Sequence, residues 1–220
     1  MRLLALDTAT LVASAAVWID GAVVVDGEAA ASTHSEKLLP LADQVLRRAG
    51  LVPADLDAVA CGAGPGSFTG LRIGLATAKG LCFALGRPLV LCSSLAALAL
   101  EGGRGTVLAV LDAKRQEVYA GLYRLDPLPA PVDDEVVLAP GDVAAWAAGR
   151  ADAVVGDGAY AYPDDAAAWG PLVATARRTP SAAAVARLAA ARLARGEADD
   201  LTRAEPTYIR HDVATPPRAR

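Results

Sequence analysis

Histidine is almost missing from this chain. There are two in 220 residues, His34 and His211. Neither has a His, Cys or carboxylate at ligand spacing on one helix face, and no HExxH run exists. The common zinc patterns are therefore excluded. A Ser-His-Asp triad would need one of these histidines and a Gly-x-Ser-x-Gly elbow, which the sequence lacks. Cysteine is nearly as scarce. Cys61, Cys82 and Cys92 lie in apolar contexts with no CxxC pair, so a zinc ribbon or redox motif is excluded and the three read as small buried hydrophobes. The longest clearly apolar uncharged run, Pro88 to Leu100, falls short of the roughly 20 residues of a membrane helix. Asp7 arrives too early for a signal peptide. The expectation is a soluble, cytoplasmic protein without membrane contact. Basic charge is also short: 21 Lys and Arg against 25 Asp and Glu give a net charge of −4. The only basic clusters are Arg47-Arg48, Arg177-Arg178 and the tail with Arg218 and Arg220, too little to expect an independent grip on nucleic acid.

What is present is apolar surface, 54% of residues, much of it alanine in runs such as Ala182-Ala183-Ala184. That suffices for two modest lobes. Leu3 to Leu6, Ala13 to Ile19 and Ala22 to Gly27 read as a meander of strands, with Asp20-Gly21 as a tight turn. A helix over Thr33 to Ala49 opens on a Thr33/Glu36 capping box, carries Leu38, Leu41 and Val45 on one stripe widened by Leu39 and Leu46, and should kink at Pro40. Strands over Leu56 to Cys61 and Leu89 to Cys92 flank a helix over Ser67 to Leu85, and another helix starts at Ser94. Glu101 to Gly105 is the clearest linker. Beyond it, strand, Leu111-Asp112, polar turn, strand repeats the opening order of strand, Leu6-Asp7, polar turn, strand, a sign of internal duplication. Pro127 to Pro131 reads as a loop, Ala153 to Gly156 as a strand and Ser181 to about Arg195 as a helix. The expected division is 1–104 and 105–210 as lobes and 211–220 as a flexible tail.

Gly62 to Gly70 carries four glycines but fits neither the Walker A nor the dinucleotide fingerprint. It is either a tight turn for close packing or an anion site at a helix start. Asp7, Thr8 and Thr10 set an acid and two hydroxyls at a strand end, a candidate nucleotide-phosphate loop or simply an Asx-type turn. The helix over Ser67 to Leu85 has one face of Leu71, Gly74, Leu75, Ala78 and Cys82, and a second, small-residue face around Thr69, Gly70, Ile73, Ala76, Thr77 and Gly80. A surface helix has one apolar stripe, so the second face packs either on the protein's own first helix or on a partner's. Phe68, Thr69, Gly70, Ile73, Ala76, Thr77 and Gly80, with Leu38, Leu39, Leu41 and Val45, form the candidate partner interface.

At these residues the chain resembles the TsaB family, also called YeaZ. Matching stretches include Leu4 to Thr10, His34 to Pro40, Gly64-Pro65-Gly66-Ser67-Phe68-Thr69-Gly70-Leu71-Arg72-Ile73-Gly74, Leu111 to Tyr119 and Pro206 to Arg210. The resemblance implies an actin-like ATPase (ASKHA, RNase H-like) α/β fold of two duplicated lobes. It also implies pairing with a homologous catalytic subunit, TsaD, which transfers a threonylcarbamoyl group to the adenosine beside the tRNA anticodon, with a small ATPase, TsaE, as a third component. A homodimer when alone, and tRNA contact only through the complex, follow. Where the catalytic relative carries two metal-binding histidines, this chain has Ser94 and Leu98, so no catalytic or metal residue is carried over. No cofactor is implied other than ATP or ADP at the subunit junction. The alternative is an ATP-dependent small-molecule kinase of the same superfamily, with Asp7 and Asp112 managing magnesium and phosphate and Gly156-Asp157-Gly158 meeting adenosine. A glycoprotease-like hydrolase is the third reading.

Overall fold

A computed structural model describes residues 1–30, 34–173 and 177–209. Strands β1 (Arg2–Asp7), β2 (Val12–Ile19) and β3 (Ala22–Ala30) form the expected antiparallel meander. Its tight turn needs positive φ twice, 44° at Asp20 and 106° at Gly21, which Asp and Gly tolerate best. Helix α1 (His34–Arg48) continues through Pro40. The capping-box residue Thr33 and the tail from Arg210 onward lie outside the described residues. Next come β4 (Ala58–Gly64), α2 (Phe68–Leu85), β5 (Leu89–Ser93) and α3 (Ser94–Ala99). Ser67 caps α2 by accepting from Gly70 N at 3.3 Å, and Gly86 ends it in the left-handed conformation.

These strands make one sheet in the order β3-β2-β1-β4-β5, with β4 and β5 parallel to β1. Strand β1 is buried on both faces, so it reads as a continuous apolar run. Leu4 and Leu6 join the core under α1 and α2, while Leu3 and Ala5 join the core on the other face. That other face is covered by α7 (Ala182–Ala194), capped by Ser181. The helix expected in the second lobe thus packs on the first sheet.

The second sheet holds β6 (Gly105–Lys114), β7 (Glu117–Leu125), β8 (Pro129–Pro131), β9 (Val136–Leu138) and β10 (Ala153–Val155). Its order β10-β6-β7-β8, with β10 parallel to β6 and β7 antiparallel, repeats the β4-β1-β2-β3 half of the first sheet. The repeated Leu-Asp pattern is thus matched by repeated topology. The proline-rich stretch read as a loop contributes β8, an edge strand where missing N–H donors cost nothing. Short helices α4 (Val143–Ala147), α5 (Gly158–Ala161) and α6 (Pro163–Ala166) cover one face, and α3 fills the other through Leu95 and Leu98. Glu135 accepts from the Ser93 and Tyr123 hydroxyls, joining β5 to the second sheet.

Candidate functional site

Two features stand out: a cleft between the lobes, and an apolar helical face on the first lobe. The cleft has a volume of about 530 Å³ and is lined by Thr10, Ser67, Phe68, Asp112, Lys114 and Tyr208 among others. Asp7 and Thr8 do not line it. Asp7 is fully buried, accepting from Ala9 N and the Ser94 hydroxyl at 2.9 Å each. Burial pushes its carboxyl up to about 6, against the lowering effect of those two hydrogen bonds. Thr8 donates its hydroxyl to Gly70 O at 2.8 Å. Of the proposed phosphate loop, only Thr10 faces the cleft. The glycines around it serve close packing. A Cβ at Gly66 would lie 2.3 Å from Ala9 O, and one at Gly70 2.1 Å from Thr8 O.

Asp112 is held differently. Its carboxylate accepts from Lys114 N at 2.8 Å and pairs with Lys114 Nζ at 2.5 Å. Asp112 N donates to Asp157 at 2.9 Å, and burial raises the Asp157 carboxyl. Lys114, Arg115 and Gln116 turn the chain with φ of 62°, 57° and 61°, three successive left-handed residues without a glycine. Of the cleft-lining cations Lys114 and Arg115, Lys114 is already engaged by Asp112. The Gly156-Asp157-Gly158 stretch also has a packing role: a Cβ at Gly156 would lie 2.0 Å from Val110 O.

On α2 the sequence reading separates cleanly into two sets. Gly70 is buried against the first turn, and Ile73 is half-buried against the first lobe's core. On α1, Leu38, Leu41 and Val45 are buried in that same core and cannot be contact residues. The stripe that the heptad-like spacing revealed is the one the sheet consumes. Leu39, Phe68, Thr69, Ala76 and Gly80 are exposed, with Thr77 half-exposed. The residue missed is Phe83, 84% exposed. One signal was available: the chain has only two phenylalanines, and both stand on α2. The small-residue surface of α2 is therefore real but rotated toward Phe83, Gly80 and Ala76, and Leu39 is exposed on α1. By length and composition α2 could also cross a membrane, but its Leu71, Leu75, Ala78 and Cys82 face is packed inside the protein.

At the N-terminal end of α2 a second device appears. The Arg72 guanidinium carbon lies 3.8 Å from the Phe68 ring centroid and 5.9 Å from that of Tyr208. The two rings are 5.3 Å apart, and Arg72 Nε donates to the Tyr208 hydroxyl at 2.9 Å. Tyr208 belongs to a C-terminal strap that also meets β4 through Thr207 N to Ala63 O and α2 through Lys79 Nζ to Ala204 O.

Comparison with known proteins places this geometry. The tRNA threonylcarbamoyladenosine biosynthesis protein TsaB of Escherichia coli is 34% identical over 229 aligned residues, covering 97% of this chain and 96% of that protein. The chain belongs to the TsaB family. TsaB of Haemophilus influenzae is 40% identical over 123 residues, 54% of this chain and 52% of that one. YeaZ from Pseudomonas aeruginosa superposes with a TM-score of 0.81 at 36% identity, covering 94% of this chain and 99% of that one. The family described as TsaD, tRNA N6-adenosine threonylcarbamoyltransferase, also matches residues 25–144. The ethanolamine utilization protein EutJ from Carboxydothermus hydrogenoformans, 13% identical with a TM-score of 0.51 over 84% of this chain and 90% of that one, shares the fold alone. The α/β fold with two similarly ordered sheets that the resemblance implies is the fold this TsaB-family chain adopts.

The TsaB assignment gives Ser94 and Leu98 a structural account. The Ser94 hydroxyl is buried on Asp7, and Leu98 is fully buried between α3 and the second sheet. Among the described residues no three His, Cys, Asp or Glu side chains are grouped to hold a metal ion.

Proposed function

We propose that this chain is the non-catalytic partner of a TsaD-type threonylcarbamoyltransferase in the cytoplasm, engaging it through the exposed face of α1 and α2. The observation that carries the reading is the apolar face itself. Phe83, Ala76 and Gly80 share one exposed face of α2 with Phe83 as its large anchor, Leu39 is exposed on α1, and no residue of α2 is acidic. Gly80 has nothing within 4 Å of where a Cβ would stand, so a partner helix can approach closely there. The match to the TsaD family over 25–144 supports a homologous partner, since two related folds offering equivalent helices can form one helical bundle. The same face would serve a homodimer when the partner is absent. A TsaE-type ATPase completes the assembly, and tRNA contact comes through the complex, in keeping with a net charge of −4. The kinase alternative finds no support here, since Asp7 is sealed away from the cleft and Lys114 is occupied.

The test is Phe83→Asp. An exposed side chain contributes little to folding, so thermal unfolding should stay within about 2 °C of the parent. Co-elution with the TsaD-type protein should be lost, through an affinity penalty of about 2–4 kcal/mol typical of an aromatic anchor. A folded variant that binds the catalytic protein with unchanged affinity would remove this face from the interface.

A further inference from the structure

The charged groups of α2 carry one more message. The helix has two, Arg72 and Lys79, both basic, and no acid in its first turn. Lys79 is used internally on Ala204 O. Arg72 is exposed, yet it is held: its guanidinium lies on the Phe68 ring and Nε is fixed by the Tyr208 hydroxyl. One of its five N–H donors is accounted for by that hydrogen bond. A solvated arginine normally loses rotamer freedom when it binds, about 0.5–1.5 kcal/mol per such side chain. Here the two rings and the strap have already fixed it. The Nη edge of a guanidinium held in this way matches a carboxylate in bidentate geometry. Charge points the same way, since the N-terminal end of a helix favours a negative group.

We infer that Arg72 is a preorganised receptor for a carboxylate of the catalytic partner, an aspartate or glutamate that docks beside the α2 face, with Tyr208 as its positioning residue. This rests on the proposed docking through α2. Phe83 supplies apolar area one end along the helix, and Arg72 fixes register at the other. The strap residues around Tyr208 therefore belong to the docking surface, although they are more than a hundred residues away in the chain.

The experiment compares Arg72→Ala, Arg72→Lys, Arg72→Glu, Tyr208→Phe and Phe83→Asp by titration of each purified full-length variant into the TsaD-type protein at two salt concentrations. Arg72→Ala should weaken binding at least 30-fold with unchanged thermal unfolding and a flatter salt dependence. Arg72→Lys should recover only part of this, because a point charge lacks the fork. Tyr208→Phe keeps the ring but frees the guanidinium and should cost a few-fold. Arg72→Glu should be rescued by reversing the charge of one partner carboxylate. If Phe83→Asp abolishes binding while Arg72→Ala stays within two-fold of the parent, the carboxylate receptor is refuted and the docking face stands. If Phe83→Asp and Arg72→Ala both bind normally, the docking reading itself fails. If Arg72→Ala leaves protein binding intact but lowers tRNA capture by the assembled complex, the anion is a phosphate and the inference is overturned.

Discussion

Asp7 and Asp112 stand at the same place in the two repeats, each following a leucine at the end of the first strand of its sheet. Their surroundings have diverged completely. Asp7 has Gly62 and Ser94 against it, no solvent contact and a carboxyl pushed up to about 6. Asp112 lies at the cleft wall, with Lys114 folded back onto it by three left-handed residues. A shared motif therefore fixed the backbone in both lobes, while neighbours far away in sequence decided what each carboxyl became. One is an internal structural acid; the other holds a turn.

The sharpest way to break the contrast is Gly62→Ala. The new Cβ would fall 1.9 Å from Asp7 Oδ2 and 2.9 Å from Ser94 Oγ, so the buried site must deform. A loss of about 3 kcal/mol or more in urea unfolding is expected, the scale of overpacking combined with a damaged buried polar pair. An unchanged midpoint would mean Asp7 is not confined as described.

A smaller effect separates charge from packing. Asp7 has a folded-state pKa raised from 3.8 to about 6. Its contribution is therefore fully present below pH 4 and is lost as pH rises through 6, because the unfolded chain ionises first. Two units correspond to about 3 kcal/mol as an upper limit. Asp7→Asn keeps the shape and an acceptor for Ala9 N. Relative to the parent it should gain stability progressively between pH 4 and 6 and hold that gain at pH 7. A stability difference independent of pH would contradict the buried, ionising Asp7.

The least effect is expected from Asp112→Asn. Its partner Lys114 is largely exposed, so the pair should be worth less than about 1 kcal/mol and less still in high salt. A loss comparable to that of Gly62→Ala would place Asp112 on the same structural footing as Asp7 and erase the comparison.

Much of the fold was legible because it rests on local signals. The runs at Leu3 to Leu6 and Ala13 to Ile19, the Asp20-Gly21 turn and the Ser67 and Ser181 caps all lie where the sequence places them. What failed was long-range. Leu38, Leu41 and Val45 were read as a stripe, correctly, but a stripe announces that something covers it, not whether the cover is a partner or the chain's own sheet. Gly70 looked like a place for helix approach and is one, although the approaching group is the turn at Thr8. Phe83 escapes periodicity for the opposite reason: a lone exposed aromatic breaks no pattern, and only the scarcity of phenylalanine marks it. The Arg72–Tyr208 bond joins residues 136 positions apart and leaves no local trace.

Helix α7 has a consequence in time. All five strands of the first sheet precede residue 94, yet the face bearing Leu3, Ala5, Ala58 and Val90, touched by Ala97 of α3, is closed over most of its extent by Ala182–Ala194. Synthesis runs from the N-terminus, so the first-made half waits with one apolar face bare until nearly the last-made element emerges from the ribosome. The second sheet, whose covering helices α4, α5 and α6 follow it closely, has no such wait. The lobe that begins the chain is thus the one that finishes folding last, and a nascent chain halted before Ala182 presents a surface for chaperones to hold.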